Sequence, residues 1–230
     1  MKTIGLLGGM SWESTISYYQ AINTGIKDQL GGLHSAKIAL FSVDFAEIEA
    51  LQSQGDWQQA GAILAQAAQA VEAAGAGFFL IGTNTMHKVA EQIEAAVSIP
   101  LLHIADATAE QLKIDSIETV GLLGTRFTME QDFYKGRLKD HHGIQVMVPD
   151  GSAQSVVHRI IYDELCQGII SDNSREQYLQ IIDELSAQGA EAVILGCTEI
   201  ALLVSQSDTS VPLYDTTSIH AAAAVKTALS

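Results

Sequence analysis

The chain has 230 residues, 47% of them apolar and 17% charged, a globular composition that excludes a disordered chain and suffices for one large domain or two small ones. Its formal charge of −15 argues against nucleic acid and anionic membrane surfaces as partners. Only two cysteines occur, Cys166 and Cys197; this excludes a disulfide framework and fits a reducing cytoplasm, and no Cys/His spacing of the zinc type is present. No apolar run reaches the length of a membrane span, and the opening "MKTIGLLGG" is too short for a signal peptide and reads as a first strand.

In chain order, "IGLLGG" is a short apolar strand running into Ser11, a predicted helix N-cap with Glu13 and Thr15 in the first turn. "KIALFSVDF" (37–45) reads as a second strand. The Ala-rich stretch 56–76 has helical apolar spacing and stops at Gly. "FFLIG" (78–82) is a continuous apolar strand, as expected when helices cover both faces of a sheet. The second half repeats the plan with "TVGLLG", "IQVMVP" (144–149), a helix through 174–188 and "AVILG" (192–196). Alternating strands and helices predict an α/β fold of two pseudo-symmetric domains, each a parallel sheet flanked by helices.

The repetition is explicit in three segment pairs. "TIGLLGGMSWESTISYY" from residue 3 matches "TVGLLGTRFTMEQDFY" from 119. "GAGFFLIGTNTMH" from 75 matches "GAEAVILGCTEIA" from 189. "IPLLHIADAT" from 99 more weakly matches "VPLYDTTSIH" from 211. The offsets are 116, 114 and 112 residues, so element order is kept. The helix at about 105–114 precedes the second half, and its twin at about 216–229 ends the chain. By symmetry the terminal helix packs on the first half, which predicts a discontinuous first domain (1–100 plus 212–230) and a second domain (101–211).

Ligands of open α/β sheets bind beyond the carboxyl ends of the strands. Those positions are Gly8-Gly9-Met10-Ser11, Thr83-Asn84-Thr85, Thr125-Arg126-Phe127-Thr128 and Cys197-Thr198-Glu199. Domains facing across a cleft bring Thr83 opposite Cys197, with hydroxyls, an amide and helix-start N–H groups around a small carboxylate. A cysteine after an apolar strand is ordinarily core filling. Its place at a strand end, on the symmetry axis, makes Cys197 a chemical candidate. Thr83, Asn84 and Thr85 also suit a helix cap. Cys166 reads as structural, His87 as supporting rather than a base, and His141-His142 as solvated surface. The glycine-rich start lacks Gly-Lys-Ser/Thr and G-x-G-x-x-G, so nucleotide binding is disfavoured.

"GLLGGMSWEST", "TNTMH", "GT-x-x-TM" (124–129) and "GCTE", in this order and spanning essentially the whole chain, resemble the aspartate/glutamate racemase family. The match is closer to its amino-acid racemase branch than to the cell-wall glutamate racemases, whose second motif reads Cys-Thr-His. The resemblance implies a pyridoxal-phosphate-independent, cofactor-free and metal-free isomerase acting on a small amino-acid substrate, and a homodimer. Two cysteines work on opposite faces of the α-carbon in that family. Carried over, Cys197 is the L-face base, and Thr83 stands where the D-face cysteine would be. Asn84, Thr85, Thr125, Thr128 and Thr198 match residues holding the α-carboxylate and amino group; Met10, Ser11, Gln52 and Glu199 complete the substrate-binding set.

A threonine hydroxyl is far less acidic than a thiol and needs its own activating base. The implied enzyme therefore takes L-aspartate or L-glutamate with Cys197 and leaves Thr83 to relay a proton from water. Two other readings stand beside it: a one-cysteine isomerase or lyase on a small dicarboxylate, and a catalytically silent anion-binding homologue. Arg126 is the only basic residue in a motif loop, so the choice of an acidic substrate comes from the resemblance alone.

Overall fold

β1 (Ile4–Gly8) is buried along its whole length, with β2 (Ile38–Ser42) and β3 (Phe78–Ile81) parallel on either side, giving the sheet order β2-β1-β3. The computed structural model describes residues 1–230. Around this sheet lie α1 (Trp12–Leu30), α2 (Phe45–Gln54), α3 (Trp57–Ala73) and α4 (Ala90–Glu94). Leu7, Phe79 and Ile81 pack with Ile48 of α2 and Leu64, Ala67 and Val71 of α3. Ile4, Leu6, Phe78 and Leu80 pack with Tyr18, Ile22 and Ile26 of α1 and with Ala221, Ala224 and Val225 near the chain end. Two covered faces explain why "FFLI" shows no polar alternation. Each fully buried Leu, Ile or Phe contributes about 1.5–3 kcal/mol. Gly5 has no side chain because a Cβ there would stand 2.8 Å from Val71 Cγ2.

The second sheet is built from β4 (Thr119–Gly124), β5 (Gln145–Met147), β6 (Ala192–Gly196) and β7 (Leu213–Asp215), all parallel in the order β5-β4-β6-β7. Its helices are α5 (Ile104–Ile114), α6 (Arg126–Glu130), α7 (Asp132–His142), α8 (Gly151–Asp163) and α9 (Asp172–Ala187). Leu123, Val193 and Leu195 meet Val157, Ile160 and Ile161 of α8 and Tyr178, Ile182 and Leu185 of α9. α10 (Thr216–Leu229) ends the chain. The fold is thus α/β with two parallel sheets flanked by helices.

The chain divides into two compact units, residues 1–104 with 220–230 and residues 105–219. This moves both sequence-based boundaries. Segment 212–219, expected in the first domain, lies in the second because β7 pairs with β6 through Val193–Leu213 and Ile194–Tyr214. Residues 101–104 stay with the first because Leu101 bridges to Phe79 and the Leu102 N–H donates to the Phe79 carbonyl at 2.9 Å. Where it belongs to the first unit, α10 packs on the first core through Ala221, Ala224 and Val225.

Candidate functional site

In the first unit the chain leaves β1 through Gly8 and Gly9. Gly9 has φ +90°, and a Cβ on it would lie 2.2 Å from the Val43 carbonyl oxygen, so only glycine fits. Its N–H donates to Thr15 Oγ1 at 2.8 Å, and that hydroxyl donates to the Ser11 carbonyl at 2.8 Å. Ser11 is the N-cap of α1, accepting from the Ser14 N–H as its sequence position predicts. Met10 and Ser11 are both buried. Gln52, on α2, is buried as well and donates from Nε2 to Met86 Sδ at 3.0 Å.

β3 runs into Gly82, where a Cβ would stand 3.0 Å from the Leu7 carbonyl. Thr83 follows, half-buried, and then Asn84 and Thr85, both buried. A 3-10 turn spans Thr85–Val89 with Asn84 at its N-cap position, and no side chain caps it. The capping role considered for Thr83–Thr85 is not what these side chains do. The Thr83 carbonyl is instead held by the imidazole of His87, Nδ1 to O 2.8 Å.

In the second unit, β4 runs into Thr125, the N-cap of α6. Its Oγ1 accepts from the Thr128 N–H at 3.3 Å and lies 3.2 Å from Thr128 Oγ1, with both residues buried. Arg126 does not turn inward. Its Nη2 donates to Ser155 Oγ at 3.4 Å, and its Nε pairs with Glu130 at 3.6 Å on the exposed side of α6.

β6 ends at Gly196, whose Cβ would stand 2.7 Å from Leu122 Cδ1 and 2.9 Å from the Leu123 carbonyl. Cys197, Thr198 and Glu199 follow, all buried, before a 3-10 turn over Ile200–Leu202. The carboxylate of Glu199 is turned back on its own loop. Its Oε2 accepts from Cys197 Sγ at 3.0 Å and from Thr198 Oγ1 at 2.8 Å. Burial pushes the Cys197 thiol well above its usual range, and the charge of Glu199 pushes it further the same way. At rest the group is a thiol, with a built-in acceptor for its proton.

Glu199, expected among the substrate contacts, is thus engaged with the thiol. His142, expected on the solvated surface, is partly buried and hydrogen-bonded: its Nε2 lies 2.8 Å from Asp106 Oδ1, beside the two-pronged Arg137–Asp106 pair, and its Nδ1 lies 3.2 Å from Lys113 Nζ. Cys166 packs at the edge of the second core, as a structural residue would. Sequence reasoning missed the grouping of His87, His103 and His220. These positions share no spacing, and only the fold brings the rings together.

The model of the Asp/Glu/hydantoin racemase family matches residues 7–224. A protein from Yersinia pestis described as a candidate Asp/Glu racemase is 60% identical, each chain covered in full, with a TM-score of 0.93. An aspartate racemase homologue from Pyrococcus horikoshii is 34% identical with full coverage of both chains and a TM-score of 0.84. The broad specificity amino-acid racemase RacX of Bacillus subtilis is 25% identical over 167 residues, 69% of this chain and 68% of its own. Matched over nearly its whole length, with buried polar loops at the strand ends of both sheets, the chain belongs to the Asp/Glu/hydantoin racemase family.

Proposed function

We propose that this chain is a cofactor-independent amino-acid racemase acting on an acidic amino acid, L-aspartate or L-glutamate, with Cys197 as its base. The observation that carries the proposal is the Cys197–Glu199 pair at the end of β6, a buried thiol 3.0 Å from a carboxylate oxygen, in a chain of this family.

The chemistry follows from these groups. A thiol removes no proton; a thiolate does. Glu199 takes the Sγ proton, leaving a thiolate and a carboxylic acid. The thiolate then takes the α-proton of the L-amino acid, and the electron pair passes into the substrate carboxyl group. Buried hydroxyls of Thr125 and Thr128, with Asn84 and Thr85, are the donors that stabilise it. In this reading the sequence twins serve the two faces of one α-carbon: Cys197 the L-face, Thr83 the D-face. Thr83 delivers its hydroxyl proton and recovers one from water, and the proton held by Glu199 neutralises the hydroxide so formed, which restores the resting thiol and carboxylate. By the family resemblance Met10, Ser11, Gln52 and Thr198 contact the substrate, and the working species is a homodimer.

The presence of threonine rather than cysteine at position 83 favours one second reading, a one-cysteine isomerase or lyase on a small dicarboxylate. One experiment separates the two. L-aspartate and L-glutamate are incubated with the protein in heavy water, the α-proton signal is followed, and D-product is assayed in the same tubes with Cys197→Ala as control. Loss of the α-proton with D-product, both absent in the variant, is the expected result. No exchange with either amino acid sinks the racemase reading.

A further inference from the structure

Three histidines lie together in the first unit, and none has a part in the chemistry above. The ring centroids of His87 and His103 are 4.4 Å apart, and those of His87 and His220 6.1 Å. All three are buried. The bonds of two of them fix their tautomers. A carbonyl only accepts, so Nδ1 of His87, 2.8 Å from the Thr83 oxygen, carries the proton. A backbone N–H only donates, so Nε2 of His87 accepts from Ile104 at 3.3 Å. By the same logic Nε2 of His220 donates to the Leu102 carbonyl at 2.7 Å, and its Nδ1 accepts from the Tyr18 hydroxyl at 2.8 Å. The two imidazoles therefore grip the backbone on either side of His103. That segment is itself tied to β3, where the Phe79 N–H donates to Pro100 and the Leu102 N–H to Phe79.

The circuit closes on Thr83. The chain leaves β3 at Thr83 and turns. The His87 N–H donates to the Asn84 carbonyl at 3.1 Å, while the His87 ring takes the Thr83 carbonyl and anchors it to the strand-bound segment 100–104. We propose that His87 is a positioning residue for Thr83, a neutral imidazole in one tautomer that locks the Thr83 backbone and so aims its hydroxyl. A hydroxyl needs this more than a thiol does. It is a weak acid and a weak nucleophile, so its proton transfer depends on alignment with substrate and water. The inference rests on the racemase reading, in which Thr83 serves the D-face.

The test is a ratio, because a role in stability alone lowers every activity together. In heavy water, return of a deuteron from Cys197 gives deuterated L-substrate, and delivery through Thr83 gives D-product. His87→Asn keeps an N–H donor at the level of Nδ1 for Thr83. His87→Gln moves the amide to the level of Nε2 and leaves Thr83 without its donor. Both replacements are polar and smaller than the ring, and both are compared with the wild-type protein. The expected result is a D-product to L-exchange ratio about tenfold lower in His87→Gln and within about twofold of wild type in His87→Asn. Equal ratios in all three proteins, or equal losses in both variants, overturn the positioning role while the racemase reading stands. No exchange by the wild-type protein overturns both.

Discussion

Sγ of Cys197 and Oε2 of Glu199 lie 3.0 Å apart on one short loop, and the same oxygen accepts from the Thr198 hydroxyl. The arrangement has two opposing effects. The carboxylate makes the thiolate harder to form in place, and it also supplies the group that takes the proton. The second effect governs if Glu199 is the proton acceptor of the reaction. Glu199→Gln is then expected to slow α-proton exchange about 100-fold, the usual scale of general acid–base assistance. The midpoint for alkylation of Cys197 by iodoacetamide, measured on a Cys166→Ala background, is expected to move to lower pH once the charge is gone. A more acidic thiol with faster exchange would show that Glu199 only restrains Cys197.

Thr83→Cys puts a thiol at the position its sequence twin already occupies. Enantiomers have equal free energies in water, so kcat/KM for the L and D substrates of a simple racemase must match. The substitution is therefore expected to raise both together, by at least about tenfold if the relay through Thr83 limits the rate. The sharper gain is in kcat with D-substrate. Polarimetry from each enantiomer checks this, and a rise in one direction alone would rule out simple reversible racemisation.

The positions of the candidate loops were readable because each sheet places glycine where a strand meets its loop. Gly8, Gly82, Gly124 and Gly196 all lack room for a Cβ, and each interrupts an apolar run in the sequence. The unit boundary was not readable to the residue. "IPLL" and "VPLY" look alike, yet Leu213–Asp215 form a strand and Leu101 makes a single bridge. Pairing to a neighbour decides this, and pairing is tertiary. The direction of the Glu199 carboxylate depends on the 3-10 turn that follows it, which no periodicity announces. The grouping of His87, His103 and His220 joins α10 to segments more than a hundred residues earlier.

Gly9→Ala tests the backbone of the first loop. The residue sits at φ +90°, and an added Cβ would press first on backbone atoms of Val43, one of them 2.2 Å away, and then on Ser42 Oγ at 2.8 Å. Backbone strain and clash together cost on the order of 3 kcal/mol. Urea unfolding is expected to show that loss. If the loop shifts to make room, the Gly9 N–H to Thr15 bond is lost with it, and α-proton exchange falls as well. A variant with unchanged stability and exchange would mean that the loop adopts another path at no cost.

The buried histidines set a pH limit on stability. His87 is held well below its usual value by burial first and by the neighbouring His103 and His220 second, partly offset by bonds to the Thr83 and Asn84 backbone. His220 is pushed down to about 4 by burial, with the Leu102 carbonyl opposing. A folded-state pKa below the unfolded value of about 6.5 means that the unfolded chain binds protons first as pH falls. The stabilisation is fully present above pH 6.5 and is lost as pH drops toward the folded-state value. For His220 alone that amounts to about 3 kcal/mol between pH 6.5 and 4. Urea midpoints are expected to be flat from pH 8 to 7 and to fall steadily below 6.5. In His220→Gln, where the side chain carries no charge at any pH, the slope in that window is expected to be shallower. A wild-type midpoint that holds from pH 6.5 to 4 would mean that these rings accept protons in the folded state at no cost, against the burial that holds them neutral.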